Sequence, residues 1–176
     1  DVLAHHPESK SKDGLAFVSG ELIPGPRNKT AVTAMYALTF DFDRGTEPAL
    51  IDAAFLKLGC AFLRYSSFSN GKTRSEFSRD AVCKFLKCNK ADLSTEMLQR
   101  YAREKEKWVE EIAATVELIE IKQVSGGFKC FIRHAPLHKN RVVVPLAAPF
   151  VIDDFENLQE ATAKWNAIYF GVAESL

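Results

Sequence analysis

The spacing of hydrophobic and polar positions divides the chain into strand and helix segments. Short apolar runs, several with polar residues at alternate positions, predict strands at Leu15–Ile23, Ala34–Asp43, Cys60–Tyr65 and Arg141–Leu146. Pro145 lies inside the last run, and a proline predicts an edge strand or the end of a strand.

Apolar residues three and four positions apart predict helices. The first begins at Thr46, with Pro48 in its first turn, and Gly59 closes it. Its apolar face is formed by Leu50, Ile51, Ala54, Phe55 and Leu58. The last helix is predicted over Asp153–Ala173, with Asp153 or Asp154 as its cap.

The middle of the chain follows a different pattern. Two helices are predicted between Ser75 and about Ala114, and their run of charged residues is typical of a solvated helix face. Val116–Val124 and Phe128–Ile132 then flank the turn Ser125-Gly126-Gly127, which predicts a β-hairpin.

These elements predict a single α+β domain over residues 1–176. Strand, helix and strand from Ala34 to Tyr65 form one right-handed crossover, so the two strands are expected to be parallel neighbours. Without an insert at about 75–138, a core of about 15–70 and 139–176 reads strand, helix, strand, strand, helix. That order predicts a ferredoxin- or RRM-like split β-α-β core carrying a helical plus β-hairpin insert, with a completing strand expected beyond Leu176.

Composition sets bounds on the function. The 176 residues carry a formal net charge of zero, so any attraction to nucleic acid must come from a local patch. No run reaches about 18 apolar residues, which predicts a cytoplasmic protein with no membrane partner. Of the four cysteines, none forms a C-x-x-C pair, and free thiols are expected rather than disulfides or a zinc site.

The clearest candidate for chemistry is the pair Asp41 and Asp43. Alternate residues of a strand share a face, so the two carboxylates lie together while Phe42 points away. A hard cation such as Mg²⁺ or Mn²⁺ favours such oxygen ligands. The alternative is a strand that ends in two solvated acids.

A locally basic stretch lies further along the chain. Between Ile121 and Ile152 there is no acidic residue. Its cationic and imidazole side chains are Lys122, Lys129, Arg133, His134, His138, Lys139 and Arg141. This favours phosphate contact, with Arg141 placed for two-pronged binding; the alternative is pairing with glutamates of the insert.

Three short motifs together resemble a known superfamily. They are F-D-F-D-R-G after the second strand, Y-S-S-F-S after the third, and K-N-R-V-V-V-P-L-A-A-P-F before the last helix. In this order they resemble the primase-polymerase domains of the archaeo-eukaryotic primase superfamily, with the closest likeness to those of phage and plasmid replication proteins. The resemblance covers Ala34–Ser69 and Lys139–Phe170.

The resemblance implies a metal-dependent nucleotidyltransferase, a DNA primase or polymerase that uses Mg²⁺ or Mn²⁺. Asp41 and Asp43 would bind the metal, and a histidine, His134 or His138, would donate to phosphate oxygens. The implied nucleotide- and DNA-binding residues are Ser67, Ser69, Lys72, Lys139 and Arg141. The implied partners are a single-stranded DNA template, nucleoside triphosphates and a helicase domain on the same, longer replication protein.

Two departures from the family pattern keep an alternative open. Phe68 occupies the turn position at which the family carries a histidine, and no third metal-binding acid precedes Leu176, since Asp153 and Asp154 lie at a predicted helix start. The alternative is a DNA-binding or origin-recognition module that has lost catalysis. A nuclease or relaxase is a third hypothesis, although His134-x3-His138 is not the adjacent-histidine pattern of relaxases.

Overall fold

A computed structural model of the chain describes residues 19–24 and 31–176. The described residues form an α+β fold, as the sequence predicts. Its elements in chain order are β1 Gly20–Leu22, β2 Val32–Phe42, α1 Pro48–Lys57, β3 Leu63–Ser66, β4 Lys72–Ser78, α2 Arg79–Leu86, α3 Thr95–Glu104, α4 Glu110–Ala113, β5 Glu117–Val124, β6 Gly127–Leu137, β7 Asn140–Val151 and α5 Leu158–Glu174. The first four residues of the predicted strand Leu15–Ile23 lie outside the described residues, and Gly20–Leu22 of it is seen as a strand.

The strands form two sheets, ordered β1-β2-β7-β3 and β4-β6-β5. β1 pairs antiparallel with β2, and β6 pairs antiparallel with both β4 and β5. β7 lies between β2 and β3, so the prediction that these two strands are neighbours is wrong. The local strand-helix-strand pattern carries no information about a strand that arrives about 75 residues later and takes the place between them.

Pro145 lies within β7, which has a neighbour on each side, so the prediction of an edge strand or strand end is also wrong. β7 has 12 residues but its neighbour β3 has only four, and can therefore pair with only part of β7. A residue without an N–H is tolerated in a strand whose neighbour pairs with only part of its length.

The chain folds into two compact units. Unit 1 contains the described residues up to Asp41, together with Ala49–Phe68 and Arg141–Leu176. Unit 2 contains Phe42–Pro48 and Ser69–Asn140. The predicted insert, 75–138, lies entirely within unit 2.

The core of unit 1 forms where α1 and α5 pack on its sheet. Phe40 of β2 contacts Phe55 of α1, with ring centroids 5.7 Å apart, and stacks on Tyr169 of α5 at 4.8 Å. Arg64 of β3 ties the sheet to α1 through two hydrogen bonds to Asp52, of 2.7 and 2.8 Å. The side chains of Phe40 in β2 and Arg64 in β3 therefore point to the face of the sheet on which the helices pack.

Gly59 follows the end of α1, as the sequence predicts. The cap of α5 differs from the prediction. Gly59 has a positive φ of 69° just after α1. α5 begins at Leu158 and is capped by Asn157, whose side-chain oxygen accepts from the Glu160 N–H at 3.0 Å. Asp153 and Asp154 instead lie in a separate 3₁₀ turn, so neither is the cap.

Unit 2 has its own core, in which one face of the β4-β6-β5 sheet packs against the helices. Its buried side chains are Phe77, Val82, Leu98, Tyr101, Ala102, Trp108, Ile112, Ala113, Val116, Cys130, Ile132 and Leu137. The hairpin of β5 and β6 is confirmed, and its turn has positive φ at Gly126 and Gly127. The cross-strand pairing runs from Val124 opposite Gly127 to Glu117 opposite Arg133.

Two details of unit 2 differ from the prediction. Ser75–Ser78, predicted as helix, belongs to β4, because Phe77 pairs with Cys130 of β6 and points into the core. The long second helix is broken into α3 and α4, and Lys107 between them has a φ of 60°. An Arg103–Glu110 ion pair joins the two pieces across the break. None of the helices in the described residues is both long and apolar enough to cross a membrane.

Candidate functional site

Three polar side chains from neighbouring strands of unit 1 form what we call the polar row: Asp41, Arg141 and Tyr65. Arg141 lies near the start of the central strand β7, and its Nε donates to Asp41 Oδ1 at 2.5 Å. Tyr65 of β3 interacts with the same guanidinium and raises its pKa to a smaller extent than Asp41 does. The row therefore joins residues up to 100 positions apart in the chain.

Strand geometry places the polar row on the sheet face opposite α1 and α5. Phe40 and Arg64 face the helices, and each directly precedes a member of the row, Asp41 or Tyr65. Successive side chains of a strand point to opposite faces, so Asp41 and Tyr65 point away from the helices. The Arg141 and Asp41 side chains are 41% and 53% exposed, and a ligand can reach both.

The electrostatics of the row are dominated by the ion pair. The hydrogen bond to the Asp41 carboxylate, and to a smaller extent Tyr65, raises the pKa of Arg141, although partial burial opposes this. The guanidinium stays charged at any pH at which the protein is folded. It is the residue type best suited to bind a planar carboxylate or a phosphate with two parallel N–H groups.

The other predicted site residues are divided between the two units. Ser67 is half-buried in unit 1. Asp43, Ser69, Lys72 and Lys139 belong to unit 2. The roles of these residues in binding nucleotide, DNA or metal stay predictions.

In unit 2, the serine-rich turn is tied to the end of β6. The Gly71 N–H donates to the Leu137 carbonyl at 3.0 Å, and the Lys139 N–H donates to the Asn70 side chain at 2.8 Å. His138 lies between these contacts in the chain, and its Nε2 is 3.3 Å from a carboxylate oxygen of Glu47. The histidine is partly exposed, at 29%.

His134, the other predicted histidine, is buried in unit 2, with 4% of its surface exposed. Its Nδ1 lies 2.7 Å from the Ala135 carbonyl and its Nε2 lies 2.9 Å from Ser75 Oγ. Because a carbonyl only accepts, Nδ1 carries the proton and Nε2 accepts from the serine hydroxyl. Burial lowers the pKa of His134, which stabilises this neutral form. The ring edge packs on Trp108 with centroids 4.8 Å apart.

Much of the basic stretch is paired with acids. Lys129 binds Glu76 of β4 at 2.6 Å, and Arg133 binds Glu117 of β5 at 2.6 Å. Both acids lie on strands flanking β6, not on the helices. Since the two strands that pair with β6 supply the countercharge, this part of the stretch is not a continuous positive patch.

The donor chemistry for a divalent cation is present in part. Across residues 19–24 and 31–176, no group of three or more His, Cys, Asp or Glu side chains is arranged to hold a metal ion. Two carboxylates together with substrate phosphates are nevertheless a common set of ligands for Mg²⁺. Asp41 offers such a carboxylate once Arg141 releases it.

Tyr65 is the functional candidate that the sequence prediction missed. It opens the Y-S-S-F-S motif, but the sequence predicts no role for it beyond the end of a strand, because a tyrosine there is indistinguishable from an ordinary strand residue. The available signal was its position directly before the serine turn and one residue after Arg64.

Comparison of the chain with protein-family models, with curated proteins and with solved structures gave no match.

Proposed function

We propose that the chain is a DNA primase-polymerase domain that carries out metal-dependent nucleotidyl transfer at the polar row. The observation that carries the proposal is the contact of Arg141 with both Asp41 and Tyr65. These residues belong to the three separate motifs on which the resemblance to the archaeo-eukaryotic primases rests. Residues that far apart in the chain have no local reason to meet.

The strand order of unit 1 supports the same proposal. β2, α1 and β3 follow one another in the chain, and β7 lies between the two strands. This is the order expected of the split β-α-β unit in a ferredoxin-like core, and β1 takes the outer place beside β2. The polar row lies at the end of β2 and β3 where their carboxyl termini are, the usual place for ligands in related open sheets.

In this proposal Arg141 binds a phosphate of the incoming nucleotide or of the template. A phosphate competes with Asp41 for the guanidinium, because a carboxylate and a phosphate can each accept two parallel N–H groups from it. Asp41, with Asp43 as the second carboxylate predicted from the sequence, would hold a divalent cation, Mg²⁺ or Mn²⁺. Such a cation would stabilise charge on the triphosphate.

The remaining assignments follow from the resemblance. Ser67, Ser69, Lys72 and Lys139 would contact nucleotide or DNA. Of the two predicted histidines, His138 would donate to a phosphate oxygen, because both ring nitrogens of the buried His134 are hydrogen-bonded within unit 2. The substrates would be a single-stranded DNA template and nucleoside triphosphates. The protein would act in the cytoplasm in replication of a phage, plasmid or other mobile element, with a helicase domain on the same chain.

Primer synthesis and extension on single-stranded DNA with Mg²⁺ or Mn²⁺ test the proposal. Asp41→Asn/Asp43→Asn is expected to lower the rate by about 100-fold or more, because a bound metal contributes several kcal/mol to transition-state stabilisation. Asp52→Asn is the matched control: this acid lies on α1 and pairs with Arg64 of β3, so activity should persist. Equal activity in wild type and the double variant would refute the proposal.

Arg141→Gln separates binding from folding. We expect a higher KM for nucleotide, or weaker template binding, with a change in unfolding free energy below about 1 kcal/mol, because the ion pair is largely exposed. An unfolded variant would show that the row is structural instead.

A second candidate function is a DNA-binding module without catalysis. It is favoured by the Asp41–Arg141 ion pair, which occupies the predicted metal ligand, and by Phe68 in the turn. In that case no synthesis occurs with either metal, Arg141→Gln weakens DNA binding, and Asp41→Asn/Asp43→Asn leaves it unchanged.

A further inference from the structure

Cys83 and Cys88 are joined by a backbone hydrogen bond at the C-terminal end of α2. Lys87 has the left-handed conformation, with φ 54° and ψ 45°, and its N–H donates to the Cys83 carbonyl. The Cys88 N–H reaches the same carbonyl at 3.2 Å. In the Schellman ending of a helix, this six-to-one hydrogen bond brings the first and sixth residues side by side, and their side chains commonly touch.

The two thiols influence each other. After burial, the Cys88 side chain contributes to raising the pKa of Cys83. Cys83 is buried and Cys88 is half-buried, so a reagent reaches the pair through Cys88. The fully buried Cys130 of β6 interacts with Cys83 from the core side.

The surroundings favour thiol chemistry over metal binding. All four cysteines are free thiols, and no group of three or more potential ligands is arranged for a metal in the described part of the chain. Burial raises the pKa of Cys83, and the Arg79 guanidinium at the start of α2 acts in the opposite direction. A disulfide requires Cα atoms within about 4.4–6.8 Å, a separation compatible with residues joined by a six-to-one hydrogen bond.

We propose that Cys83 and Cys88 are a redox modification site that forms an intramolecular disulfide across the end of α2, with a small disulfide such as glutathione disulfide as the oxidant. The Cys88 thiolate attacks one sulfur of the oxidant and expels one glutathione thiolate, which leaves a mixed disulfide on Cys88. The Cys83 thiolate then attacks the Cys88 sulfur and expels the second glutathione. Two electrons pass from the cysteines to the oxidant, and the two thiol protons pass to the glutathione thiolates.

The experiment equilibrates the whole chain with graded ratios of glutathione disulfide to glutathione, blocks the remaining thiols and maps the peptides by mass spectrometry. We expect a mass loss of two hydrogens and a linked peptide that joins Cys83 to Cys88, with Cys60 and Cys130 still reduced. The folded helix end holds the two thiols near each other. The ratio of glutathione disulfide to glutathione at which half of the pair is oxidised should therefore be at least about 10-fold lower for the native chain than for the denatured chain.

Two variants sharpen the result. Cys88→Ser should abolish the linked peptide and leave Cys83 reduced, whereas Cys60→Ser, in unit 1, should leave the bridge unchanged. The proposal is overturned by a glutathione adduct that persists on Cys88, by a bridge from Cys83 to Cys130, or by equal oxidation of native and denatured protein.

Discussion

The two units use their polar side chains in different ways. Unit 2 pairs its charges across neighbouring strands, as in Lys129–Glu76, and hydrogen-bonds both nitrogens of the buried His134 internally. Unit 1 gathers Asp41, Arg141 and Tyr65 at one end of its sheet and leaves the ion pair about half exposed. An exposed ion pair contributes little to stability.

This difference separates residues that hold the fold from residues available to a ligand. The buried His134 of unit 2 is hydrogen-bonded within a core, and Lys129 and Arg133 are paired on its sheet surface. The Asp41–Arg141 pair is about as exposed as those surface pairs, but it lies where three sequence motifs of the proposed site meet. The polar row is therefore the first place to look for chemistry, and unit 2 is the first place to look for stability.

The largest expected effect tests whether unit 2 has an independent core. Ile132 is fully buried, so Ile132→Ala should lower the unfolding free energy by about 2–5 kcal/mol. Unit 2 contains Trp108 and unit 1 contains Trp165, so urea unfolding followed by fluorescence in a Trp165→Phe background reports on unit 2. Ile119→Ala is the control, because Ile119 is 51% exposed and its loss should cost no more than about 0.5 kcal/mol. Equal effects of the two substitutions would contradict a core at Ile132.

A smaller effect tests whether the segment 42–48 is held by unit 2. Gly45 has φ +94°, and a Cβ there would lie 2.5 Å from Ile112 Cδ1 and 3.1 Å from Val109 Cγ2. Gly126 has nearly the same φ, +93°, with nothing within 4 Å of the added atom. Both Gly→Ala variants carry the backbone strain, so Gly45→Ala should cost about 1–3 kcal/mol more than Gly126→Ala in urea unfolding. A difference near zero would show that segment 42–48 moves to accommodate the added methyl group with no loss of unfolding free energy.

The pH dependence of stability tests the internal role of His134. Its pKa lies below the ordinary value of 6.5 in the folded state, so below that pH the unfolded chain takes up a proton that the folded chain does not. The free energy of unfolding should fall as pH drops through 6.5, by about 1.4 kcal/mol for each unit of pKa lowering. NMR titration of the ring resonances, with the partly exposed His138 as the internal comparison, gives the folded pKa directly. A folded pKa of His134 at or above 6.5 would contradict its role as a neutral, internally hydrogen-bonded residue of unit 2.

Local signals in the sequence predicted much of the fold. The D-x-D strand, the helix that Gly59 closes and the hairpin at Gly126-Gly127 each depend on residues close together in the chain, and the structure contains all three. β4 was missed because its sequence, KTRSEFS, contains a single large apolar residue, Phe77, and so shows little hydrophobic alternation. The break before α4 depends on the backbone of Lys107, for which lysine gives no signal.

Two of the three residues in the polar row, Asp41 and Arg141, are predicted from the sequence as site residues, but their contact is not. Asp41 and Arg141 were both singled out, one as a metal ligand and the other as a phosphate ligand. That they bind each other follows from the position of β7 beside β2, which depends on strand order and not on any local pattern. Likewise, the burial of His134 depends on Ser75 and Trp108, which are distant in sequence.

The contact of Lys139 with Asn70 has a consequence for chain entropy. β3 and β7 are adjacent strands, yet about 70 residues of chain connect them. Once unit 2 has folded, its own hydrogen bonds hold the two ends of that connection together, at Asn70–Lys139 and Gly71–Leu137. The effective loop between β3 and β7 then shrinks to a few residues, which lowers the entropic cost of pairing the two strands by about 2–3 kcal/mol. By fixing the two ends of this connection, the folded unit 2 favours assembly of the sheet in unit 1.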